Sequence, residues 1–478
     1  MSKFKPYDEN QMLLLPASVA EYVPEQHLAR VIKEVVQRLD LSKIEKKYHE
    51  LGQKSYAPQI LISLLIYGYA TGIRSGRKIA KACESDTAFM YLANLYRPDF
   101  RTINDFRKDN IELFKEYFVE VLTICKKLGL VHVGSIAVDG TKTRANASSK
   151  RSKTKEEYDK WRNRIKEEVD ELMKQVEENE KKESDEYGDQ RGDELPKKIR
   201  KKKELISKIE EIMKVMTDEE KLNLTDRDAK FIKDKGETKP NYSGMIAVTE
   251  EGIITATTVI TSANEGEELM NLVLETEKHT SDTVEQVLAD AAYGTYNNYE
   301  ALHNAEKTAY IPDQTVANEK KKKYRDKPEE EKGYKKSKFQ YVKETDSYTC
   351  PTGEQLVVSG KSSEDGRQYI VYKCNTCQNC PVKHLCTTSE NRQIKREVRE
   401  NLKEEVLARL RTKEGESVYA KRGWMVETKF GHFKHNLNYH MFSLRSLKKV
   451  TGEFELICMA NNLTKMFQWK TKMALCVA

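Results

Sequence analysis

The chain has 478 residues, so its length predicts two to four folding units rather than one domain. With 83 Lys and Arg against 76 Asp and Glu, its net charge is only +7, and local patches rather than the total charge must indicate a polyanionic partner. The longest apolar run, residues 60–69, is about half of what a membrane span needs, and the first ten residues lack a secretory apolar segment. We therefore expect a cytoplasmic protein that does not enter a membrane.

Residues 1–130 alternate helical patterns with proline and glycine, and we expect them to form a helical DNA-binding domain. The stretch 75–110 predicts three short helices, with Ser75 capping the first and Thr102 and Asp105 forming an approximate capping box on the third. Basic side chains near helix starts suit phosphate contact and a helix-turn-helix arrangement, whereas the alternative is a helical cap with solvated charges. These side chains are Arg74, Arg77, Lys78, Arg97, Arg101, Arg107 and Lys108.

Residues 150–221 predict a coiled helical hairpin inserted into the chain. Apolar residues recur at spacings of three and four in two runs, and a polar stretch at 183–196 separates the runs. This pattern predicts two antiparallel helices with narrow apolar seams. The surrounding charges are more typical of a solvated face than of a DNA clamp or a dimer arm. The seam residues are Tyr158, Trp161, Ile165, Val169, Leu172 and Val176, then Ile206, Ile209, Met213 and Met216.

Between residues 240 and 290 the apolar period shortens toward two, which indicates strands. Residues 242–264 predict a hairpin with its turn at 250–252, followed by a helix at 265–279 and a strand at 284–290. Together with a predicted strand at 134–138, this order of elements is typical of the first part of a mixed α/β sheet. We assign residues 131–149, 222–300 and 400–478 to this catalytic core.

Three acidic residues, far apart in the sequence, are candidates for one site. Asp139 and Asp290 each end an apolar run, and neighbouring strand ends are where α/β sheets bind ligands. Glu427 lies on a predicted helix about 90° from the centre of its apolar stripe, and Lys434 points along almost the same line two turns later. Taken alone, either aspartate is more typical of a turn cap than of a metal ligand.

Phosphodiester cleavage would use such a set of acids. Carboxylates are the ligands that Mg²⁺ and Mn²⁺ prefer. Two such ions about 4 Å apart can activate a water or hydroxyl group and stabilise the leaving oxygen. The sequence contains neither a P-loop nor a GxSxG serine motif, so we expect no nucleotide cofactor and no protein nucleophile.

The segments that carry these residues resemble a known family. Four segments are similar to the DDE transposases of bacterial insertion sequences, and within that family to the eleven-eighty-two group. The segments are PDFRTINDFRKDN, VDGTKTRANAS, VLADAAYG and YAKRGWMVETKFGHFKHNL. The resemblance covers most of the chain. It implies an α/β fold with an RNase H-like mixed sheet flanked by helices. It also implies that Asp139, Asp290 and Glu427 are the catalytic residues and bind two Mg²⁺ or Mn²⁺ ions.

The resemblance extends to residues around the glutamate. Tyr419, Arg422, Glu427 and Lys434 fit a Tyr, Arg, Glu and Lys signature, although the interval from Arg422 to Glu427 is one residue longer than in the broader superfamily. Lys434 would hold a phosphate beside the cut, whereas Tyr419 and Arg422 would bind DNA backbone or a displaced base. Core packing is the alternative role for Tyr419.

The implied activity is that of a transposase that binds the terminal inverted repeats of its own element in double-stranded DNA. It would cleave a strand there and join the exposed 3′ hydroxyl to another phosphodiester. We expect a homodimer in the synaptic complex, because two ends must be paired, and association with the bacterial nucleoid. The alternatives are an RNase H-like nuclease without strand transfer and a non-catalytic zinc-containing DNA-binding protein.

Residues 301–399 predict a basic, cysteine-rich insertion. Its five clustered cysteines are Cys350, Cys374, Cys377, Cys380 and Cys386. Four thiolates form a closed structural zinc site, so five candidates leave the ligand set open. The family resemblance favours Cys350, Cys377, Cys380 and Cys386, with Cys374 as a substitute, and a reduced cluster without metal is the alternative.

Other conspicuous residues have simpler explanations. The basic tract at 318–341 suits either a nucleic-acid groove or a solvated loop. His432, His435 and His440 are more typical of DNA or solvent contact than of a metal site. Cys83, Cys125, Cys458 and Cys476 are interpreted as packing residues.

Overall fold

Helices form the N-terminal part of the structure, a computed structural model that describes residues 18–48, 55–187, 197–234, 236–314, 333–364 and 366–477. The apolar run 60–69 lies in α3, which is buried along almost its whole length because neighbouring helices cover it on all sides. None of the helices in these ranges combines the length and the apolarity needed to cross a membrane. The helices are α1 (Leu28–Val36), α2 (Ser42–Glu45), α3 (Pro58–Ala70), α4 (Gly76–Ser85), α5 (Thr87–Leu92), α6 (Phe100–Asn110) and α7 (Phe114–Lys127).

The three predicted short helices are confirmed as α4, α5 and α6, but their caps differ from the prediction. Ser75 is the N-cap residue of α4, yet its side chain makes no capping hydrogen bond. Helix α6 begins at Phe100, and the Asp99 carboxylate accepts hydrogen bonds from the backbone N–H groups of Arg101 and Thr102. The capping box predicted at Thr102 was therefore wrong, because an aspartate three residues earlier already satisfies the free N–H groups.

The helical hairpin is confirmed. Helices α8 (Lys155–Tyr187) and α9 (Lys197–Val215) pack antiparallel, and a two-stranded sheet of β2 (Ser152–Lys153) and β3 (Leu222–Asn223) closes their base. The ion pair Lys166–Glu210 crosses between the helices. The hairpin has its own small hydrophobic core, which includes most of the predicted seam. The side chain of Val176 lies outside the described part of the chain.

The central sheet is mixed, as predicted. Strand β1 pairs antiparallel with β5 and parallel with β7, so the strand order is β4-β5-β1-β7-β8, with β6 also on β5. The 250–252 turn joins β5 to β6 and confirms the predicted hairpin. Helix α10 (Leu269–Thr280) connects β6 to β7, and α11 (Tyr296–Asn304) connects β7 to β8. The strands are β1 (Ser135–Arg144), β4 (Lys230–Asp234), β5 (Glu237–Thr249), β6 (Ile254–Ile260), β7 (Gln286–Leu288) and β8 (Thr308–Tyr310).

A second, antiparallel sheet occupies the cysteine-rich region, where sequence analysis predicted no sheet. Its strand order is β13-β12-β11-β10-β9, and Phe339, Tyr348, Leu356 and Tyr372 form its core. Because β8 still belongs to the central sheet, the insertion begins after that strand and not at residue 301. The strands are β9 (Gln340–Val342), β10 (Ser347–Thr349), β11 (Gln355–Glu364), β12 (Arg367–Cys374) and β13 (Gln393–Glu397), and the short helix α12 (Lys383–Cys386) lies between the last two.

The C-terminal helices join the parts together. Helix α13 (Glu400–Leu410) leads to α14 (Lys413–Arg422), which continues through a π-helical turn (Gly423–Glu427), α15 (Thr428–Gly431) and a second π-helical turn (His432–Asn436). Helix α16 (Leu447–Val477) packs against α3, α7 and β6. One hydrophobic core therefore includes the N-terminal helices, the central sheet and α16.

Candidate active site

Asp139 and Asp290 flank one end of the central sheet. Pairing between β1 and β7 stops at Ala137 and Leu288, two positions before each aspartate. The predicted strand end at 138 was wrong, because β1 continues past Asp139 to Arg144 through its pairing with β5. The two strands are parallel, so Asp290 follows β7 on the side of the sheet where Asp139 lies in β1. Burial raises the pKa of Asp139, and the Asp290 charge adds to that rise, so the two carboxylates are within electrostatic reach of each other.

Asp139 is held by two hydrogen bonds in a nearly buried position. Its Oδ1 accepts from the Gly140 backbone N–H (2.8 Å), and its Oδ2 accepts from Arg422 Nη2 (2.9 Å). Burial raises the pKa of Asp139 to about 6, and Arg422 and the Gly140 N–H oppose that rise. Burial therefore outweighs the adjacent guanidinium, because removing a carboxylate from water disfavours its charged form.

The π-helical turn explains how Arg422 also reaches Glu427. Arg422 Nη1 donates to Glu427 Oε1 at 3.2 Å. In an α-helix a residue and its fifth neighbour lie about 140° apart, but a π-helix pairs residues five apart, so the two lie on one face. The extra residue between Arg422 and Glu427 is thus accommodated by the wider turn. Val426, Phe430 and Phe433 form the buried stripe, as predicted.

Tyr419 and Lys434, the other two residues of the signature, both lie near these acids. Burial raises the pKa of Tyr419, Arg422 opposes that rise, and the charges of Asp290, Asp139 and Glu427 add to it. Lys434 Nζ donates to the backbone oxygen of Lys142 in β1 at 3.0 Å. Both signature residues are therefore within electrostatic reach of the acidic site, and the half-buried Tyr419 ring also packs against the core.

Sequence reasoning missed a fourth acid, Glu265. It begins a short 3-10 helix (Glu265–Glu268) before α10, and its carboxylate covers Gly140. Burial raises the pKa of Glu265, and the Asp290 charge adds to that rise. The only sequence signal is an acidic run at a helix start. Nothing in its spacing distinguishes Glu265 from Glu267 or Glu268.

The acids have the donor chemistry for a hard divalent cation, since all are carboxylates. Within the described residues, however, no group of three or more His, Cys, Asp or Glu side chains is arranged to hold a metal ion. Between Asp139 and Glu427 the positive charge comes from Arg422, whose side chain is only 12% exposed.

The five clustered cysteines line one small cavity of about 30 Å³ in the second sheet. Burial raises the pKa of the Cys386 thiol, and the nearby Cys350, Cys380 and Cys374 add to that rise. The cluster is thus a local assembly, although its thiols do not form a metal-binding arrangement in the described structure. Their placement does not select four of the five.

The remaining cysteines agree with their predicted role where the structure describes them. Cys83, Cys125 and Cys458 are buried in the main core, which confirms that they are packing residues. The Cys476 side chain lies outside the described part, as does most of the basic tract 318–341.

The predicted DNA-binding arginines separate into two groups. Arg77 and Arg101 are exposed, and their guanidinium groups lie 4.9 and 5.8 Å from the centre of the Phe100 ring. Arg107 is buried and donates to the Tyr69 hydroxyl and to the backbone oxygen of Arg74. We therefore assign Arg107 a structural role, because its guanidinium hydrogen bonds are used inside the helical domain. A cavity of about 370 Å³ beside it is lined by Arg74, Ser75, Gly76, Arg77, Phe100, Asn104, Arg107, Met441, Phe442 and Ser443.

Two family models match separate parts of the chain. Residues 17–109 match a model described as a transposase domain (DUF772), and residues 349–467 match a transposase DDE domain. The second match includes Glu427 and the cysteine cluster but neither Asp139 nor Asp290. A comparison with curated proteins found no match.

Both matched models describe transposase domains, so two separate parts of the chain are similar to transposases. More particularly, the two matches indicate a DDE-type insertion-sequence transposase, which confirms the family implied by the resemblance.

Proposed function

We propose that the protein binds the terminal inverted repeats of its mobile element and catalyses metal-dependent strand cleavage and strand transfer. One observation carries this proposal. Asp139, Asp290 and Glu427 come from three distant parts of the chain, yet Arg422 hydrogen-bonds both Asp139 and Glu427, and Asp290 follows β7, the strand beside Asp139.

The strand order supports an RNase H-like core. A long antiparallel pair, β1 and β5, is followed by parallel strands β7 and β8 on the other side of β1. In this sheet β1 is an interior strand between β5 and β7. An acid on β1 can therefore meet acids from the helices on either face.

Asp139, Asp290 and Glu427 would hold two Mg²⁺ or Mn²⁺ ions. When bound, such ions activate the attacking water or 3′ hydroxyl and stabilise the leaving oxygen. Lys434, which donates to the Lys142 carbonyl of β1, would hold a phosphate beside the acids. Arg422 restrains Asp139 and Glu427 relative to each other, and Tyr419 presents an aromatic ring at the same place.

All five thiols line one small cavity, and this proximity supports a structural zinc ion in the insertion. We propose Cys350, Cys377, Cys380 and Cys386 as ligands, with Cys374 as the substitute. Thiolates suit soft or borderline ions and not the hard ions of phosphoryl transfer, so this site would stabilise the insertion without taking part in the chemistry.

DNA contact by the helical domain would use the exposed Arg77 and Arg101. Both guanidinium groups lie against Phe100, an arrangement that holds two cations on one surface near the start of α4. Pairing two element ends in one synaptic complex would require a homodimer, and binding to chromosomal DNA would place the protein at the nucleoid.

The test is cleavage of end-labelled terminal-repeat DNA by the full chain with Mg²⁺. Asp139→Asn should reduce cleavage about a hundredfold or more, because a metal ion stabilises the transition state by several kcal/mol. DNA binding should be retained and the chain should stay folded, with a melting temperature lowered only by loss of the ion pair with Arg422. Asp218→Asn, at an exposed acid of the helical hairpin, is the matched control.

The products separate the proposed function from its alternatives. Strand-joined products from a labelled donor end would exclude a nuclease without strand transfer. Normal cutting by Asp139→Asn would show that the catalytic assignment is wrong, and DNA binding without any cutting would favour a non-catalytic DNA-binding protein.

A further inference from the structure

We propose that the base of the helical hairpin forms a groove that binds the phosphate backbone of double-stranded DNA beside the acidic site. This inference rests on the proposed function and adds to it a DNA-binding surface. The surface lies in residues 144–164 and at residue 239, outside both segments that match transposase models. It is therefore a second contact with the substrate, separate from the one proposed for the helical domain.

The groove consists of two adjoining cavities at the protein surface. They have volumes of about 250 and 510 Å³, and the Lys150 side chain lines both of them. In the described structure Glu157 is the single acid among the lining residues, whereas six of them are basic. The basic residues are Arg144, Lys150, Lys153, Lys160, Arg164 and Lys239. An excess of positive charge along a concave surface attracts a polyanion.

Half of these cations lack an ionic partner. Three of them pair with acids at the surface, and the other three make no salt bridge within the described ranges. The paired residues are Lys160, Arg164 and Lys239, and the unpaired ones are Arg144, Lys150 and Lys153. The Arg144 charge also acts on Glu237, but that acid is hydrogen-bonded to Lys239.

The sequence around the unpaired cations does not supply the missing negative charge. Segment 144–153 contains no acidic residue, so none of its own side chains can neutralise them. Lys153 lies at the aromatic part of the groove, with its Nζ 5.7 Å from the centre of the Trp161 ring. A DNA backbone would supply the countercharge, because each Lys or Arg can neutralise one phosphate.

Buried side chains anchor the backbone of segment 144–153. Asn223 Nδ2 donates to the Ser148 carbonyl at 2.8 Å. The Tyr158 hydroxyl donates to the Arg151 carbonyl at 2.6 Å. Asn223 and Tyr158 are both fully buried. The cations thus project from an anchored backbone, and binding would order their side chains without ordering a loop, which reduces the entropic cost.

Strand β1 connects the groove to the acidic site. Arg144 ends this strand five residues after Asp139. That interval is about 17 Å at a rise of about 3.4 Å per residue. Base pairs of B-DNA also rise about 3.4 Å each, so a duplex lying along β1 would reach the groove about five base pairs from the cut phosphate. The groove would therefore hold the flank of the duplex while the acids hold the phosphate that is cut.

The salt dependence of DNA binding tests the groove. Binding of a random-sequence duplex to the full chain would be measured by fluorescence anisotropy at several salt concentrations, without divalent cations. The groove variant combines Arg144→Gln, Lys150→Gln and Lys153→Gln. Each neutralised phosphate contributes about 0.9 to the magnitude of the slope of log affinity against log salt, so this variant should lower that magnitude by about 2–3.

Two further variants separate local charge from total charge. The control variant loses the same charge at exposed lysines of α9, farther from the base of the hairpin, and should keep the wild-type slope. Its substitutions are Lys198→Gln, Lys201→Gln and Lys203→Gln. The charge-retaining variant should also keep the slope, because either cation neutralises a phosphate. Its substitutions are Arg144→Lys, Lys150→Arg and Lys153→Arg.

The outcomes separate the inference from the proposed function. An unchanged slope in the groove variant, or an equal loss in the control variant, would overturn the inference, while cleavage of terminal-repeat DNA by the wild type would still support the proposed function. A loss confined to the groove variant, with no cleavage by the wild type, would support the groove and contradict the proposed function. Should the groove variant fail to fold, Lys150→Gln alone, at an exposed residue, decides: the inference requires a slope lower by about 1.

Discussion

The acidic sheet end and the cysteine-rich sheet gather reactive side chains in opposite ways. The acids at positions 139, 265, 290 and 427 are separated by long intervals and come together only because β1, β7 and the helices around them fold into one sheet end. The five cysteines lie within residues 350–386 and meet through local turns of one small sheet. The first site is thus made by topology and the second by sequence proximity.

The two sites also differ in electrostatics and access. Like-charged acids repel, and burial together with its acidic neighbours raises the pKa of Asp139 to about 6 even though Arg422 is bonded to it. The cysteines enclose a cavity too small for a substrate. An accessible acidic site that tolerates unfavourable charge is typical of catalysis, whereas a closed thiol cluster is typical of a structural metal site.

Removing one thiol should produce the largest effect. Structural zinc sites in small domains contribute about 10–16 kcal/mol of apparent binding free energy, so Cys377→Ser or a zinc chelator should unfold the second sheet. The central sheet has a separate core and should remain folded. Limited proteolysis should then cut within 333–398 and leave 135–310 intact, and metal analysis should show that zinc is lost.

Cys374→Ser is the control for this prediction. Cys374 is buried at the end of β12 but lies outside the ligand set that the resemblance favours, so its variant should retain zinc and proteolytic resistance. Loss of zinc in Cys374→Ser but not in Cys350→Ser would show that Cys374, and not Cys350, is a zinc ligand. Collapse of the whole molecule in Cys377→Ser would contradict the independence of the two regions.

The sequence predicted the parts of the fold that repeat a local period. The three short helices, the helical hairpin and the β5–β6 hairpin were expected from apolar spacing and turn residues, and each is confirmed. Asp139 and Asp290 were visible because an acid after an apolar run is conspicuous. That these two acids meet could be expected from the rule for parallel strand ends.

Other features depend on contacts that no local pattern records. Glu265 became recognisable only when its carboxylate was found over Gly140, a contact between residues 125 positions apart. The π-helical turn at 423–427 is not a favoured local conformation, and an apolar stripe predicts an ordinary α-helix there. The second sheet was missed because its strands are largely exposed and lack strong apolar alternation.

A buried acid outside both sites tests whether burial by itself makes a charged carboxylate unfavourable. Glu455 in α16 is 4% exposed, and burial raises its pKa to about 8, with Lys115 opposing the rise and Glu275 adding to it. Because the folded pKa lies above the unfolded value of 4.5, its contribution to stability is complete below pH 4.5 and is lost as the pH rises toward 8. Each pKa unit corresponds to about 1.4 kcal/mol, so the loss is at most about 5 kcal/mol.

Denaturant unfolding at several pH values checks this expectation. Glu455→Gln should remove the part of the decline between pH 4.5 and 8 that Glu455 causes, because the amide carries no charge at any pH. Glu112→Gln, at an exposed acid paired with Lys448, should follow the wild-type curve. A parallel decline in wild type and Glu455→Gln would show that burial alone does not make an acid costly here, and would weaken the electrostatic contrast between the two sites.

The smallest expected effect concerns the bridge that Arg422 makes between Asp139 and Glu427. The Asp139 side chain is 14% exposed and that of Glu427 is 65% exposed, so water screens the second pair much more than the first. Arg422→Gln should lower the free energy of unfolding by about 1–3 kcal/mol, mostly through the hydrogen bond to Asp139.

Two double-mutant cycles separate these contributions. The cycle of Arg422→Gln with Asp139→Asn should give a coupling free energy of about 1–3 kcal/mol, whereas the cycle with Glu427→Gln should give less than about 1 kcal/mol. A larger coupling with Glu427 would mean that the π-helical turn, and not the sheet end, is what fixes Arg422. The acidic site would then be organised locally, like the cysteine cluster, and the contrast between topology and sequence proximity would no longer hold.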